Sequence, residues 1–311
     1  MSQESGCVMA KKTNISGWMI FNGSLNDKKY VEINEMYRLA AYKAGIMLEC
    51  IPNSGVAGVI QGRECNSYLS GATSRPDFIL FADKDVSLAR HLELCGYRLF
   101  NNSCAIATCD DKIMTYQALS AAGIAIPKTI FAPLSYRELE EAAKNRFLQM
   151  IEDELTYPIV VKEAFGSFGE QVYLARNHQE LALLYNRLQL KPHLYQQYIS
   201  SSFGRDVRLH VVGDRVVASM LRTNENDFRA NITNGGKMHS FTPSEAFVNV
   251  AVAASKTVKA DYSGVDLLFG PDGEPIVCEI NSNAHIKNIL SCTGINIADI
   301  IFEYILRTII C

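Results

Sequence analysis

The chain has 311 residues, 48% of them hydrophobic and 20% charged, with a formal net charge of −3 and nine cysteines. Such a composition is that of an ordinary soluble globular protein, and it excludes an overall polyanion-binding surface and, since no run of about 18 apolar residues occurs, a membrane-spanning helix. The odd cysteine count without a Cys-x-x-Cys pair argues against a disulfide scaffold or a structural zinc site, and for reduced thiols in a cytoplasmic protein. The polar segment Met1–Lys12 reads as a loose start and lacks the apolar run of a signal peptide.

In chain order, Ile15–Asn22 reads as a strand ending at Gly23, Asn34–Ala44 as a helix stopped by Gly45, and Ile46–Ile51 as the next strand. Phe78–Phe81 is a short strand, Val86–Leu94 a helix closed by Gly96, and Tyr97–Phe100 a strand. This alternation predicts an α/β N-terminal domain with a small parallel sheet. No Gly-x-Gly-x-x-Gly follows the first strand, so no dinucleotide site is expected. Asp110-Asp111 opens a helix running to Ala122, and a second helix covers Tyr136–Phe147. Strands follow at Pro158–Lys162, Gln171–Leu174 and Leu194–Ile199, with a helix at Gln179–Leu188. Asp206–Val212 and Arg215–Leu221 flank Gly213-Asp214 as a hairpin, Pro243–Ala260 is a helix, and Ile295–Ile309 closes the chain. The second half therefore mixes antiparallel hairpins with helices, an α+β pattern.

The most informative stretch is Val265–Asn281. Asp272-Gly273 between two alternating apolar runs is a strong hairpin signal. A two-residue loop there pairs Pro271 with Glu274 and Phe269 with Ile276, and so sets Asp266 opposite Glu279, with Asn281 on the same face. Opposed carboxylates repel unless a cation lies between them, and hard oxygen donors suit Mg²⁺. The alternative is a pair of solvated acids on an exposed strand.

Other candidates are cationic. Lys162 ends an apolar strand and leads into Phe165-Gly-Ser-Phe-Gly-Glu170, whose glycines let backbone N–H groups approach phosphate oxygens; it is equally the pattern of a surface lysine before an ordinary hairpin. Lys112 opposes the dipole at its helix start, which a bound phosphate would offset; an exposed lysine balanced by Asp110 and Asp111 fits as well. Asp206 and Arg208 share a strand face, and Arg222 and Arg229 follow. Guanidinium groups hold phosphates or carboxylates bidentately, and they also form plain ion pairs, here with Glu225 or Asp227. Gly235-Gly236-Lys237 reads as a flexible loop or a turn. No nucleophile elbow, Ser/His/Asp set or metal spacing among His210, His239 and His285 is found.

The order of these signals resembles the ATP-grasp superfamily, and most closely the RimK-type branch of amino-acid ligases. The matching segments are Tyr157-Pro-Ile-Val-Val-Lys162, Gln196-Gln-Tyr-Ile199, Arg205-Asp-Val-Arg208, Asp227-Phe-Arg-Ala-Asn231, Ser263-Gly-Val-Asp266, Glu279-Ile-Asn281 and Thr293-Gly-Ile-Asn-Ile-Ala298. The resemblance runs from about Asn101 to Ala298 and implies an ATP-grasp fold of two α+β subdomains enclosing ATP, at 106–192 and 193–311, after an N-terminal domain at 1–105. It further implies that Lys112 and Lys162 contact ATP phosphates under a lid containing Gly166, Ser167, Phe168 and Gly169. Gln196, Gln197, Tyr198 and Ile199 would form the adenine hinge, Asp206 would hold the ribose, and Arg208 would join the nucleotide site. Arg222, Arg229 and Asn231 would act at the reacting phosphate and carboxylate, and Asp266, Glu279 and Asn281 would bind Mg²⁺, two ions by resemblance, with Mn²⁺ as a substitute.

Two departures stand out. Gln197 occupies a position where the family usually has Glu, and Ser282-Asn-Ala-His285 with Ile286-Lys-Asn288 replaces the usual Ala-Ser-Pro-Gly, which leaves the added amino acid open. The implied activity is an ATP-dependent carboxylate–amine ligase forming an amide or peptide bond through an acyl phosphate. Its partners would be a small-molecule or peptide carboxylate and an amine acceptor, with no nucleic acid and no membrane; a homo-oligomer stays open. A non-catalytic nucleotide sensor and a phosphotransferase are the competing readings.

Overall fold

Apolar alternation and glycine-stopped helices build the first sheet. The computed structural model describes residues 15–62, 64–69, 74–166, 169–232 and 235–310. The expectation for Met1–Lys12 and the two lid positions Ser167 and Phe168 lie outside the described residues. The chain divides into two compact units, one formed by Met1–Asp83, Leu88–Phe100 and Ala298–Cys311, the other by Lys84–Ser87 and Asn101–Ile297.

In the first unit, β1 (Ile15–Phe21), α1 (Lys28–Lys43), β2 (Ile46–Pro52), β3 (Val56–Gln61), β4 (Glu64–Leu69), β5 (Phe78–Ala82), α2 (Val86–Leu94) and β6 (Leu99–Phe100) follow in order. The parallel sheet runs β2-β1-β5-β6, and β3 and β4 form a separate antiparallel pair. α1 starts six residues before Asn34 because Asp27 caps it, accepting hydrogen bonds from the Lys29 and Tyr30 amides. The β3–β4 hairpin is not foreseen from sequence: β3 is exposed from Ala57 to Gln61, so no buried face imposes alternation on it.

The second unit contains α3 (Ser103–Asp110), α4 (Lys112–Ala121), β7 (Thr129–Phe131), α5 (Glu141–Glu154), β8 (Ile159–Glu163), β9 (Val172–Ala175), α6 (His178–Leu188) and β10 (His193–Gln197). It continues with β11 (Arg205–Val212), β12 (Arg215–Thr223), β13 (Lys237–Ser240), α7 (Glu245–Thr257), β14 (Tyr262–Phe269), β15 (Pro275–Asn281) and α8 (Ile286–Thr293). The final helix, α9 (Ile297–Ile310), belongs mainly to the first unit, where Phe302 packs edge-on against Tyr37 and Phe78, both at 6.4 Å between ring centroids. Residues 298–311 thus cluster apart from the C-terminal segment to which the sequence assigns them.

Two antiparallel sheets frame the second unit, β7-β10-β8-β9 and β13-β12-β11-β14-β15. Each has its own core: Leu148, Ile151, Val161, Leu181 and Tyr195 behind the first, and Leu209, Val211, Phe247, Ala251, Val265, Leu267 and Val277 behind the second. This is the expected architecture, a parallel-sheet α/β unit and an α+β unit with two antiparallel sheets. Three local readings are corrected. The helix read over Asp110–Ala122 is α4, which starts at Lys112: Asp110 ends the preceding α3, and Asp111 caps α4 through bonds from the Ile113 and Met114 amides. The Tyr136–Phe147 helix is displaced to α5, Glu141–Glu154, whose buried residues are Leu148 and Ile151. The hairpin loop is wider than Asp272-Gly273 alone. Phe269 pairs with Pro275 and Gly270 donates to the Glu274 carbonyl at 2.8 Å, because the Glu274 carboxylate folds back onto the Asp272 amide at 2.9 Å.

Candidate active site

The hairpin register meets the site through a bulge. Leu267 faces Val277, yet Asp266 faces Glu279, so Cys278 is an extra residue with no partner of its own. In a bulge, two residues of one strand oppose one of the other; here Cys278 and Glu279 both oppose Asp266, and all three reach one cavity. The backbone carbonyl of Cys278 does not go unpaired: the Tyr116 hydroxyl donates to it at 2.5 Å. The opposition of Asp266 and Glu279 therefore holds, by a loop one register step off and a bulge that restores it.

The cavity lies wholly within the second unit and has an empty volume of about 900 Å³ up to its open mouth. One wall comes from the β7–β10 sheet, where Lys162, Gln196 and Gln197 line it. The other comes from the five-stranded sheet, with Asp206, Arg222, Asp266, Cys278 and Glu279. Lys112, at the first turn of α4, Gly166 and Gly169 of the glycine loop, Tyr198 and Ile199 after β10, and Arg229 and Asn231 after β12 complete the predicted set. Arg208 and Asn281 do not reach the wall. Val160, Gln171, Val172, Ser202, Arg205, Phe228, Ala230 and Leu268 line it without having been singled out from sequence. For Val160 and Leu268 a period-two count along β8 and β14 would have placed them on the faces of Lys162 and Asp266.

Cations gather on one side. Lys162 is buried and its Nζ donates to the Tyr116 hydroxyl at 3.1 Å, while Cys278 Sγ lies 3.8 Å away. Lys112 Nζ donates to the Gly166 carbonyl at 3.1 Å and lies 3.9 Å from Glu279 Oε1. Burial pushes the Lys112 ammonium below its usual range; Glu279 opposes that shift and Lys162 adds to it. Two lysines facing one cavity, with Glu279 3.9 Å from Lys112 as their near acid, leave positive charge that a further anion would relieve.

The arginines are engaged. Arg229 is bidentate to Asp227, with Nε to Oδ1 at 3.0 Å and Nη2 to Oδ2 at 2.7 Å, and its Nη1 donates to the Gly169 carbonyl at 2.7 Å. It thus ties the base of the glycine loop to the 227–231 segment. Arg222 is buried and holds Asp206 through Nε–Oδ1 at 2.6 Å and Nη2–Oδ2 at 2.8 Å, and its Nη2 also reaches Asp266 Oδ2 at 2.8 Å. Arg208 holds Asp266 by two bonds of 2.6 Å. Burial raises Asp266, but two guanidiniums outweigh it and hold the carboxyl down at about 2. Asp206 has one guanidinium in contact, and there burial wins and the carboxyl is raised. His210, one residue pair further along β11, is buried and neutral, pushed down to about 3 by burial and then by Arg208.

A hard cation finds a partial donor set here. Asp266 and Glu279 face each other, and Asn281, two residues on, has a buried side-chain nitrogen without a hydrogen-bond partner. Turned over, the same amide would offer an oxygen from that place. Among the described residues no group of three or more His, Cys, Asp or Glu gathers for a metal. A cation at this position would rest on two carboxylates, one amide and oxygens brought by its ligand, the pattern usual for Mg²⁺ with phosphates.

A family model for the RimK-like ATP-grasp domain matches residues 109–305. Beta-citrylglutamate synthase B of Danio rerio is 35% identical over 258 residues, 81% of this chain and 62% of that protein. The chain therefore spans less than two thirds of that relative's length. N-acetylaspartylglutamate synthase A of Homo sapiens is 30% identical over 292 residues, 89% of this chain and 72% of that protein. Among solved structures, the VanG D-Ala:D-Ser ligase of Enterococcus faecalis superposes with a TM-score of 0.70 at 18% identity, covering 94% of this chain and 98% of that one, a likeness of fold. Among the described residues no single helix is long and apolar enough to cross a membrane.

Proposed function

The chain belongs to the RimK-like ATP-grasp family, and we propose that it is a carbon–nitrogen ligase, as its relatives' names suggest, using ATP to join a carboxylate to an amine through an acyl phosphate. The observation that carries this reading is one cavity with Lys112, Lys162, Arg222 and Arg229 on its walls and Asp266 opposed to Glu279 at its floor. Cations on the walls suit a polyphosphate, and opposed carboxylates suit the divalent ion that accompanies it.

In this scheme Lys112 and Lys162 neutralise phosphate oxygens, and Gln196–Ile199 border the base. Asp206 holds the ribose in competition with Arg222. Arg222, Arg229 and Asn231 face the transferred phosphoryl group, stabilising charge on its equatorial oxygens. The substrate carboxylate attacks the γ-phosphorus, ADP leaves, and the amine then displaces phosphate from the acyl carbon. Bound by Asp266, Glu279 and Asn281, Mg²⁺ would supply charge neutralisation of the phosphates. The chain's own part in the second step is exclusion of water. Gly169 is tied to Arg229 and Gly166 to Lys112, contacts that support a loop closing over the acyl phosphate. No side-chain nucleophile is needed.

The names of both sequence relatives contain glutamate, so glutamate is the first amine to offer, with small carboxylic acids varied against it. The test is ADP and phosphate release from Mg-ATP over a matrix of acids and amines, with mass spectrometry of active wells. Release that needs both an acid and an amine, with a product heavier by one condensation, supports the ligase. Release with a single acceptor and a phosphorylated product indicates a phosphotransferase. Nucleotide binding without release on any acceptor indicates a sensor.

A further inference from the structure

Arg208 stands between residues of the cavity wall without reaching it. Its guanidinium is spent on Asp266, Nε to Oδ1 and Nη2 to Oδ2, both at 2.6 Å, while Arg222 adds a bond of 2.8 Å to Oδ2. Both oxygens of the leading cation ligand are thus covered by positive charge. The two arginines differ in what else is available to them. Arg222 has Asp206, to which it is already bidentate, and it lines the cavity. Among the described residues Arg208 has no such second partner: across the sheet it faces Met220 on β12, and the position beside Asp266 on β14 is Gly264, with Ala284 packed over it. Asp206, the other acid on its own strand face, is held by Arg222. Pulling Arg208 off Asp266 would leave a largely buried guanidinium unpaired, which is strongly unfavourable. Arg222 can give up its single bond to Asp266, stay paired with Asp206 Oδ1 through Nε even where a ribose takes the other carboxylate oxygen, and turn its free edge toward a phosphate in the cavity.

We propose that Arg208 is a positioning residue which, with Arg222, keeps a divalent cation off Asp266 until anionic phosphates enter the cavity and draw Arg222 away. Cation and nucleotide then bind as one event, and free metal ion alone does not occupy the site. The proposal rests on the nucleotide-binding reading above.

The test reads metal binding, without turnover. Free Mn²⁺ is titrated by its electron paramagnetic resonance signal into the full chain, alone and with ADP, and ADP binding is measured separately by calorimetry. In the wild type, Mn²⁺ alone should bind at least about tenfold more weakly than with ADP, within the usual range of site–site coupling. That difference alone also arises from metal bound to ADP, so the deciding measurement is made without nucleotide. Arg208→Gln should raise the affinity for Mn²⁺ alone by about tenfold, and adding Asp266→Asn should abolish the gain. Lys112→Gln removes a nearby positive charge that touches Glu279 and leaves Asp266 alone, and it should gain distinctly less. A gain that Asp266→Asn abolishes is specific to the site and does not come from misfolding. No gain in Arg208→Gln, or an equal gain in Lys112→Gln, overturns the proposal. If ADP binds and Mn²⁺ alone binds as tightly as with ADP, the proposal falls and the nucleotide site stands; if ADP fails to bind with or without Mn²⁺, both fall.

Discussion

Arg222 carries two acids on one buried side chain, and removing it shows what that is worth. Arg222→Met keeps the volume and the apolar stem but leaves Asp206 ionised in a buried site without a partner, while Asp266 retains Arg208. Breaking a buried pair by deleting one member costs about 3–5 kcal/mol. For a unit of about 200 residues, at roughly 2–4 °C per kcal/mol, the melting temperature should fall by about 6–20 °C. The double variant Arg222→Met/Asp206→Asn removes the orphaned charge as well and should recover at least about 2 kcal/mol of the loss. The pH sign follows from the raised Asp206 carboxyl. A carboxyl raised in the folded state is destabilising when ionised, and losing Arg222 raises it further, so the single variant carries a deficit wherever that carboxyl is ionised. It shrinks as the pH falls through that raised value toward the unfolded 3.8. Urea denaturation followed by circular dichroism at pH 7 and pH 5 measures all three proteins. If the double variant is no more stable than the single one, or the deficit grows on acidification, the charge argument is wrong.

Three more outcomes are expected. Asp266 is held at about 2, below an ordinary carboxyl at 3.8, a difference worth on the order of 2 kcal/mol. That stabilisation is present above pH 3.8 and lost as the pH falls through about 2, so urea midpoints of wild type and Asp266→Asn should converge between pH 5 and pH 2; parallel curves would contradict it. Glu279→Gln should keep its melting temperature, because it removes one of two opposed acids, and should lower Mg-ATP-dependent ADP release by about a hundredfold or more; wild-type rates at saturating Mg-ATP would remove Glu279 from the site. Gly204 has φ +58°, and a Cβ there would sit 1.9 Å from the Asn224 carbonyl oxygen. Gly204→Ala should therefore cost about 1–3 kcal/mol, read as a lowered melting temperature, and a neutral result would show that the 204–227 backbone contact yields easily.

Much of this molecule is legible without coordinates where one physical rule acts alone. The strands of the first sheet follow from unbroken apolar runs, and the hairpin at 262–281 from Asp272-Gly273. The opposition of Asp266 and Glu279 was reached through a wrong loop, because local counting sees neither the Glu274 carboxylate that widens the turn nor the bulge at Cys278. The start of α1 was missed because Lys28, Lys29 and Glu32 blur the apolar period before Asp27 is seen to cap it. What the arginines do could not be read at all: Arg208 and Arg222 are two residues of a charge network spanning β11, β12 and β14, and pairing across strands distant in sequence decides which acid each one holds. For Arg229 the ion pair with Asp227 was foreseeable from their spacing; its bond to the Gly169 carbonyl was not.

The bulge has a consequence for how this site can be altered. A residue inserted into or deleted from a buried strand ordinarily turns every later side chain to the opposite face. Cys278 is already the surplus residue, with Val277 matched to Leu267 before it and Glu279 matched to Asp266 after it. Its side chain lines the cavity, while the core on one side and the acid pair on the other keep their own registers. Position 278 is therefore an adjustable panel in the cavity wall. Its size and polarity can be exchanged without turning Glu279 away from Asp266, and what such an exchange alters first is the surroundings of Lys162, whose Nζ lies 3.8 Å from the Cys278 thiol.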